Sequence, residues 1–207
     1  MENIHNQYLA IHNERINQFG FTEKALWGSK ASQYKRFEIF EKLFLNENKF
    51  NLLDIGCGLC DFFKYLTDRK FYVDYTGLEI NESFCKESKF RYPGINIVMG
   101  DCKSIPSSIQ WDYVVASGIY NLGKSVEEAE EAFLSDFSIL YPNIQIGFAV
   151  NFLSSNSENK DNISIYHNPG RILTLIQSNI SKNVVLFHHY LPNDFTILVY
   201  KNRIGSF

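Results

Sequence analysis

Apolar residues fall along this chain in two alternating patterns: short continuous runs, and segments where they recur every three or four positions. Such alternation predicts strands interleaved with helices. Residues 2–18 read as a helix with Ile4, Tyr8 and Ile11 on one side, and a second helix after Ser29 shares Phe37, Phe40, Leu43 and Phe44 on one face. The run Leu52, Leu53, Ile55 is too short for a helix and predicts a strand; Phe62, Phe63 and Leu66 then return to helical spacing. Further strands are predicted at 72–80, 95–99, 111–117 and 144–152. Between them lie helices from Asn81 to Pro93-Gly94, over 125–140 with an acidic face, and from Asn168 through Ile172, Leu175 and Ile176. Residues 154–162 are a polar excursion near the strand ends, expected to be mobile, and Asn183–Tyr190 with Phe195–Lys201 predict a closing hairpin around Leu191-Pro-Asn-Asp194.

The stretch that organises this pattern is the turn after the first strand, Asp54-Ile-Gly-Cys-Gly-Leu-Cys-Asp61. Gly56 and Gly58 permit a tight turn into the next helix, whose free N–H groups should face a polar or anionic ligand. A P-loop would need a Gly-Lys-Ser/Thr ending, which is missing. A dinucleotide fold would need glycine at the third position of G-x-G-x-x-G, where Asp61 stands and would repel a pyrophosphate. Cys57 and Cys60 form one C-x-x-C among four cysteines; there is no second such pair at zinc spacing, so they read as small apolar thiols. A second acid, Glu79, ends the next strand 25 residues after Asp54, where a carboxylate can accept from both hydroxyls of a ribose.

Leu53-Asp54-Ile55-Gly56-Cys57-Gly58 closely resembles the D-x-G-x-G turn of class I S-adenosylmethionine-dependent methyltransferases, and Trp111-Asp-Tyr-Val114 resembles their F-D-x-V strand. Cys60 departs from the third glycine common in that family. The resemblance covers most of residues 25–201 and implies a three-layer Rossmann-like α/β fold. Its seven-stranded, mostly parallel sheet would have order 3-2-1-4-5-7-6, with strand 7 antiparallel and helices on both faces. It implies S-adenosylmethionine as cofactor, S-adenosylhomocysteine as product and no metal. Asp54, Gly56, Cys57, Gly58 and Asp61 would form the cradle, Glu79 with Ile80 would take the ribose, and Asp101 with Cys102 the adenine. Ser117 would lie at the fourth strand's end, and Trp27 with Ser29 over the methionine portion. Tyr120 with Asn121, His188, His189, Tyr166 and His167 are candidates for the acceptor pocket or a general base, imidazole titrating near neutrality.

Composition narrows the partners. The 207 residues are 45% hydrophobic, which suits one domain, with residues 1–48 as an N-terminal helical cap. Net charge is −3 and the 20 Lys and Arg are scattered, against a nucleic-acid partner and for a small-molecule acceptor carrying a hydroxyl, a phosphate-type oxygen or an amine. No apolar stretch approaches the roughly 20 residues needed to cross a bilayer, so a cytoplasmic monomer or homodimer is expected. The Asn, Lys, Ile and Phe bias suggests a bacterial chain acting in surface-polysaccharide or specialised metabolism. Two other classes stay open, an NAD-binding oxidoreductase and a non-catalytic S-adenosylmethionine-binding partner protein.

Overall fold

The computed structural model describes residues 2–26, 29–45 and 47–202. Helices α1 (Glu2–Phe19) and α2 (Lys30–Glu41) precede β1 (Lys49–Ile55). There follow α3 (Asp61–Asp68), β2 (Tyr72–Glu79), α4 (Glu82–Arg91), β3 (Asn96–Met99) and β4 (Trp111–Ser117). The chain continues with α5 (Val126–Leu140), β5 (Ile144–Leu153), α6 (Pro169–Asn179), β6 (Val184–Phe187) and β7 (Asp194–Tyr200). The strands form a seven-stranded sheet in the order β3-β2-β1-β4-β5-β7-β6, with β7 antiparallel to both neighbours.

Strand periodicity divides the core between the two faces of this sheet. Leu53, Ile55, Val114, Ala116, Phe148 and Val150 pack with Phe133 and Phe137 of α5 and Ile172 and Ile176 of α6. Leu52, Tyr113, Val115, Ala149 and Leu198 pack on the other face with Phe37 and Phe40 of α2 and Phe62 and Leu66 of α3. Each buried Phe contributes about 1.5–3 kcal/mol, so α2 and α3 are anchored by their aromatic stripes. The central strands β1, β4 and β5 are apolar on both faces, as strands covered by helices must be.

Element ends depart from the sequence pattern in two places. The helix carrying Phe37 and Phe40 stops at Glu41, and a 3-10 turn Lys42–Phe44 delivers Leu43 and Phe44 to the core before Leu45 reverses the chain at φ +48°. The hairpin's first strand pairs only from Val184 to Phe187, leaving His188 to Asn193 as a connecting loop. The loop at 154–168 is tied down rather than free. Ser154 bridges to His167, and the Asp161 carboxylate accepts from the backbone N–H groups of Ile163 and Ser164. No helix among the described residues is long and apolar enough to cross a membrane.

Candidate active site

β1 ends at the floor of the turn and the chain leaves it through two left-handed glycines, Gly56 at φ +67° and Gly58 at φ +53°. A Cβ on Gly56 would collide with Ile119, and one on Gly58 would lie 2.7 Å from Leu26, so both positions require the missing side chain as well as the dihedral. Cys60, the departure from a third glycine, is itself left-handed at φ +57°, a conformation costing about 1–2 kcal/mol for a residue with a Cβ. Within the turn itself the N–H groups of Gly56, Cys57 and Gly58 are engaged by the protein. Gly56 and Cys57 donate to the Leu78 carbonyl at 2.7 and 3.2 Å, and Gly58 donates to Glu79 Oε2 at 2.9 Å. The turn is stitched to β2.

Three carboxylates converge there. Glu79 is buried and its second oxygen, Oε1, accepts from the Asn81 N–H at 2.8 Å. Burial pushes its carboxyl above the usual range while the backbone donors pull the other way. Asp54, also buried, accepts from the Tyr75 hydroxyl at 2.6 Å, and desolvation, aided by the charges of Glu79 and Asp61, pushes it up to about 7. Asp61 opens α3 and accepts from Gln33 Nε2 of α2 at 2.8 Å. An acid in the first turn of a helix meets the positive end of its dipole, so this carboxylate is locally favoured.

Two connected depressions lie over these groups at the C-terminal ends of the parallel strands. The narrower, about 90 Å³, is lined by Glu79, Ile80, Asp101, Cys102, Tyr120 and Asp136 among others. The wider, about 690 Å³, holds Asp54, Cys57, Asp61, Ser117 and the apolar rings of Phe37 and Phe40. Tyr8, Gly56, Ile119 and Leu122 line both, so the two form one trough with α1 along its rim. His12 of α1 lies in the wider part, with its ring 4.1 Å from that of Tyr8; burial chiefly, with nearby Arg15, lowers it to about 4 and keeps it neutral. No group of three or more His, Cys, Asp or Glu able to hold a metal occurs among the described residues, and the four cysteines are free and buried.

The chain is 32% identical over 156 residues to "Putative methyltransferase Rv1506c" of Mycobacterium tuberculosis (strain ATCC 25618 / H37Rv), covering 73% of this chain and 93% of that protein. It belongs to the class I S-adenosylmethionine-dependent methyltransferases. No protein-family model matches it. Its fold is shared by DhpI in complex with S-adenosylhomocysteine, at 9% identity and a TM-score of 0.68, over 96% of this chain and 97% of that one. The plantazolicin methyltransferase BpumL, bound to a triazolic substrate analogue and S-adenosylhomocysteine, aligns at 14% identity and a TM-score of 0.66, over 94% and 90%. The magnesium protoporphyrin IX methyltransferase of Synechocystis PCC 6803, with S-adenosylhomocysteine bound, aligns at 11% and 0.66, over 97% and 99%.

In this methyltransferase the predicted cradle residues are brought together: Asp54, Gly56, Cys57, Asp61 and Ser117 line the wide part of the trough, and Glu79, Ile80, Asp101 and Cys102 the narrow part, with Gly58 bonded to Glu79 beneath. Ser29 caps α2 by accepting from the Ser32 N–H and is exposed, and Trp27 lies outside the described residues. Asp112 sits at the entrance of β4, where its carboxylate accepts from the Asn51 N–H at 2.9 Å.

The acceptor candidates are scattered. Tyr120 turns inward to the narrow part, its ring against Phe133 and Phe152 and its hydroxyl on Asp136, because a 3-10 turn Ile119–Asn121 folds it back onto α5. Asn121 lines the wide part and accepts from the Leu153 N–H. His188 and His189 follow β6 at the sheet's outer edge and do not line the trough; their rings pack near Phe195 and Phe187. His167 is fully buried with Nε2 2.8 Å from the Tyr120 carbonyl, a structural contact, and the Tyr166 hydroxyl accepts from the Asp161 N–H. His12, Arg36 and Asp136 line the trough without having been singled out by pattern. Their signal is tertiary. Arg36, for instance, is paired bidentately with Asp194, 158 positions away.

Proposed function

We propose that this chain binds S-adenosylmethionine in the trough and transfers its methyl group to a small-molecule acceptor. The observation that carries the reading is Glu79, a buried carboxylate fixed by the N–H groups of Gly58 and Asn81 at the end of β2. Backbone N–H groups hold both of its oxygens, and an ionised carboxylate has about four acceptor positions, so it remains competent to accept from a ribose. Asp54 and Asp61 in the adjoining wide part favour a cationic ligand portion and oppose a pyrophosphate, which weighs against a dinucleotide. The left-handed glycines let the turn pass beneath Ile119 and Leu26 where a side chain of its own would not fit.

Bound S-adenosylmethionine supplies a methyl group on a positively charged sulfur. The chain's own contribution is to hold donor and acceptor in line and away from water, a proximity effect worth up to roughly 7–11 kcal/mol. Asp61, steadied by Gln33, and Asp54, steadied by Tyr75, bear on the amino-acid portion of the cofactor. The wall formed by Phe37, Phe40 and Ile163, with Ser117 as a polar contact, shapes the acceptor's side of the trough. The names of the plantazolicin and magnesium protoporphyrin IX methyltransferases support a small-molecule acceptor, and the group methylated on it is taken to be a hydroxyl, a phosphate-type oxygen or an amine.

The test is incubation with methyl-labelled S-adenosylmethionine and a panel of small alcohols, amines, phosphonates and carboxylates. Label transferred to one acceptor class, with matching S-adenosylhomocysteine release, is the expected result. Cofactor binding with no transfer to any acceptor would favour a non-catalytic binding protein instead.

A further inference from the structure

The narrow part of the trough contains a carboxylate that the cradle does not use. Ala129, Ala132 and Asp136 follow one another along one face of α5 and all three line it. The two alanines leave space, and the stripe ends in an acid. Asp136 is held by two side chains: the Tyr120 hydroxyl donates to Oδ2 at 3.0 Å, and the Cys102 thiol donates to the same carboxyl group. Tyr120 is in turn set by ring packing against Phe133 and Phe152, with centroids 5.4 and 6.1 Å apart. Asp101 differs. Its Oδ1 accepts from the Lys103 N–H at 3.0 Å, capping the 3-10 turn Cys102–Ser104, so part of its capacity serves its own loop. The surrounding walls, Ile55, Leu78, Ile80, Ile119 and Leu122, are apolar and suit a flat heterocycle.

We propose that Asp136, positioned by Tyr120, is a specificity residue that accepts a hydrogen bond from the exocyclic amino group of the cofactor's adenine. The inference rests on the reading of the trough as the S-adenosylmethionine site. A carboxylate only accepts, and the adenine amino group is a donor pair, so the two match. A hypoxanthine base presents a carbonyl oxygen at the same place, which would set lone pairs against the carboxylate. Tyr120 therefore acts through Asp136 rather than on the acceptor.

The experiment compares binding of S-adenosylhomocysteine with that of S-adenosyl's deaminated counterpart, S-inosylhomocysteine, by calorimetry. The wild type should prefer the adenine form by roughly ten- to a hundred-fold, the range of a hydrogen bond to a charged group. Asp136→Asn carries an amide that can donate to the carbonyl, so the preference should fall at least about tenfold, largely through tighter binding of the deaminated form. Tyr120→Phe keeps the ring and removes only the hydroxyl, and it should lower the preference by a smaller factor with an unchanged circular dichroism spectrum. An unaltered preference in a folded Asp136→Asn overturns the inference, and if that variant does not fold, an unaltered preference in Tyr120→Phe does so. Failure of the wild type to bind S-adenosylhomocysteine would overturn the cofactor reading itself, a separate and recognisable outcome.

Discussion

Replacing Glu79 perturbs binding and folding together, and the structure gives the size of each. Its two oxygens satisfy the N–H groups of Gly58 in the cradle turn and Asn81 at the cap of α4. Glu79→Ala leaves both donors buried and unmatched, at about 1–3 kcal/mol each, so the variant should lose roughly 2–6 kcal/mol of stability. Against a total of about 5–15 kcal/mol such a loss is severe. Glu79→Gln is the cleaner probe. It keeps one acceptor oxygen and the side-chain volume, while a charge-assisted hydrogen bond to the ribose is lost at about 1.5–3 kcal/mol, or roughly 12- to 160-fold in Kd. Thermal melting fixes the folded fraction, and titration calorimetry with S-adenosylhomocysteine reads the affinity. A folded Glu79→Gln protein whose Kd stays within twofold of wild type would refute the ribose role and the geometry from which it was argued.

Three further effects are measurable, two of them through protonation. Asp54 has a folded-state pKa pushed up to about 7, above the usual ~3.9, so the folded protein holds a proton that the unfolded chain has released between these values, and stability falls as pH rises through that window. Asp54→Asn should therefore raise the Tm of the ligand-free protein at pH 8 and not at pH 4, while weakening cofactor binding; an equal effect at both pH values would contradict the assignment. His12 has its pKa lowered to about 4 from the ordinary ~6.5, so stability is lost as pH falls from about 6.5 towards 4, on the order of 3 kcal/mol in all, and His12→Phe should flatten the acid limb of a Tm-against-pH curve. Arg36→Ala would strand the buried Asp194 carboxylate and should cost about 3–5 kcal/mol in a denaturant melt, whereas a loss below 1 kcal/mol would mean that the pair is solvated.

The strands, the helices and the cradle were legible in the sequence because they rest on local signals, while the sheet order was implied by the family resemblance. Short apolar runs, two glycines that must be left-handed, and an acid at the end of β2 are readable without knowing what packs where. The turn's inner hydrogen bonds were not: the N–H groups of Gly56, Cys57 and Gly58 close onto Leu78 and Glu79 of the neighbouring strand, a pairing set by the sheet. Tyr120 shows the same limit. It read as an acceptor-pocket candidate, but the 3-10 turn returns the ring to the Phe133 and Phe152 cluster. His188 and His189 read as possible bases from chemistry alone, and only the sheet order sets them at the edge beyond β7. Conversely, α1 announced itself as a helix, while its part in lining the trough with Tyr8 and His12 depends on where it docks, including the contact of Asn13 with Asn81 at the head of α4.

The central claim is that the trough is built for S-adenosylmethionine. Titration calorimetry of the wild-type protein with S-adenosylhomocysteine and NAD, under identical conditions, tests it most directly. Saturable one-to-one binding of S-adenosylhomocysteine, with no heat from NAD, is the predicted result; binding of NAD with none of S-adenosylhomocysteine would contradict it.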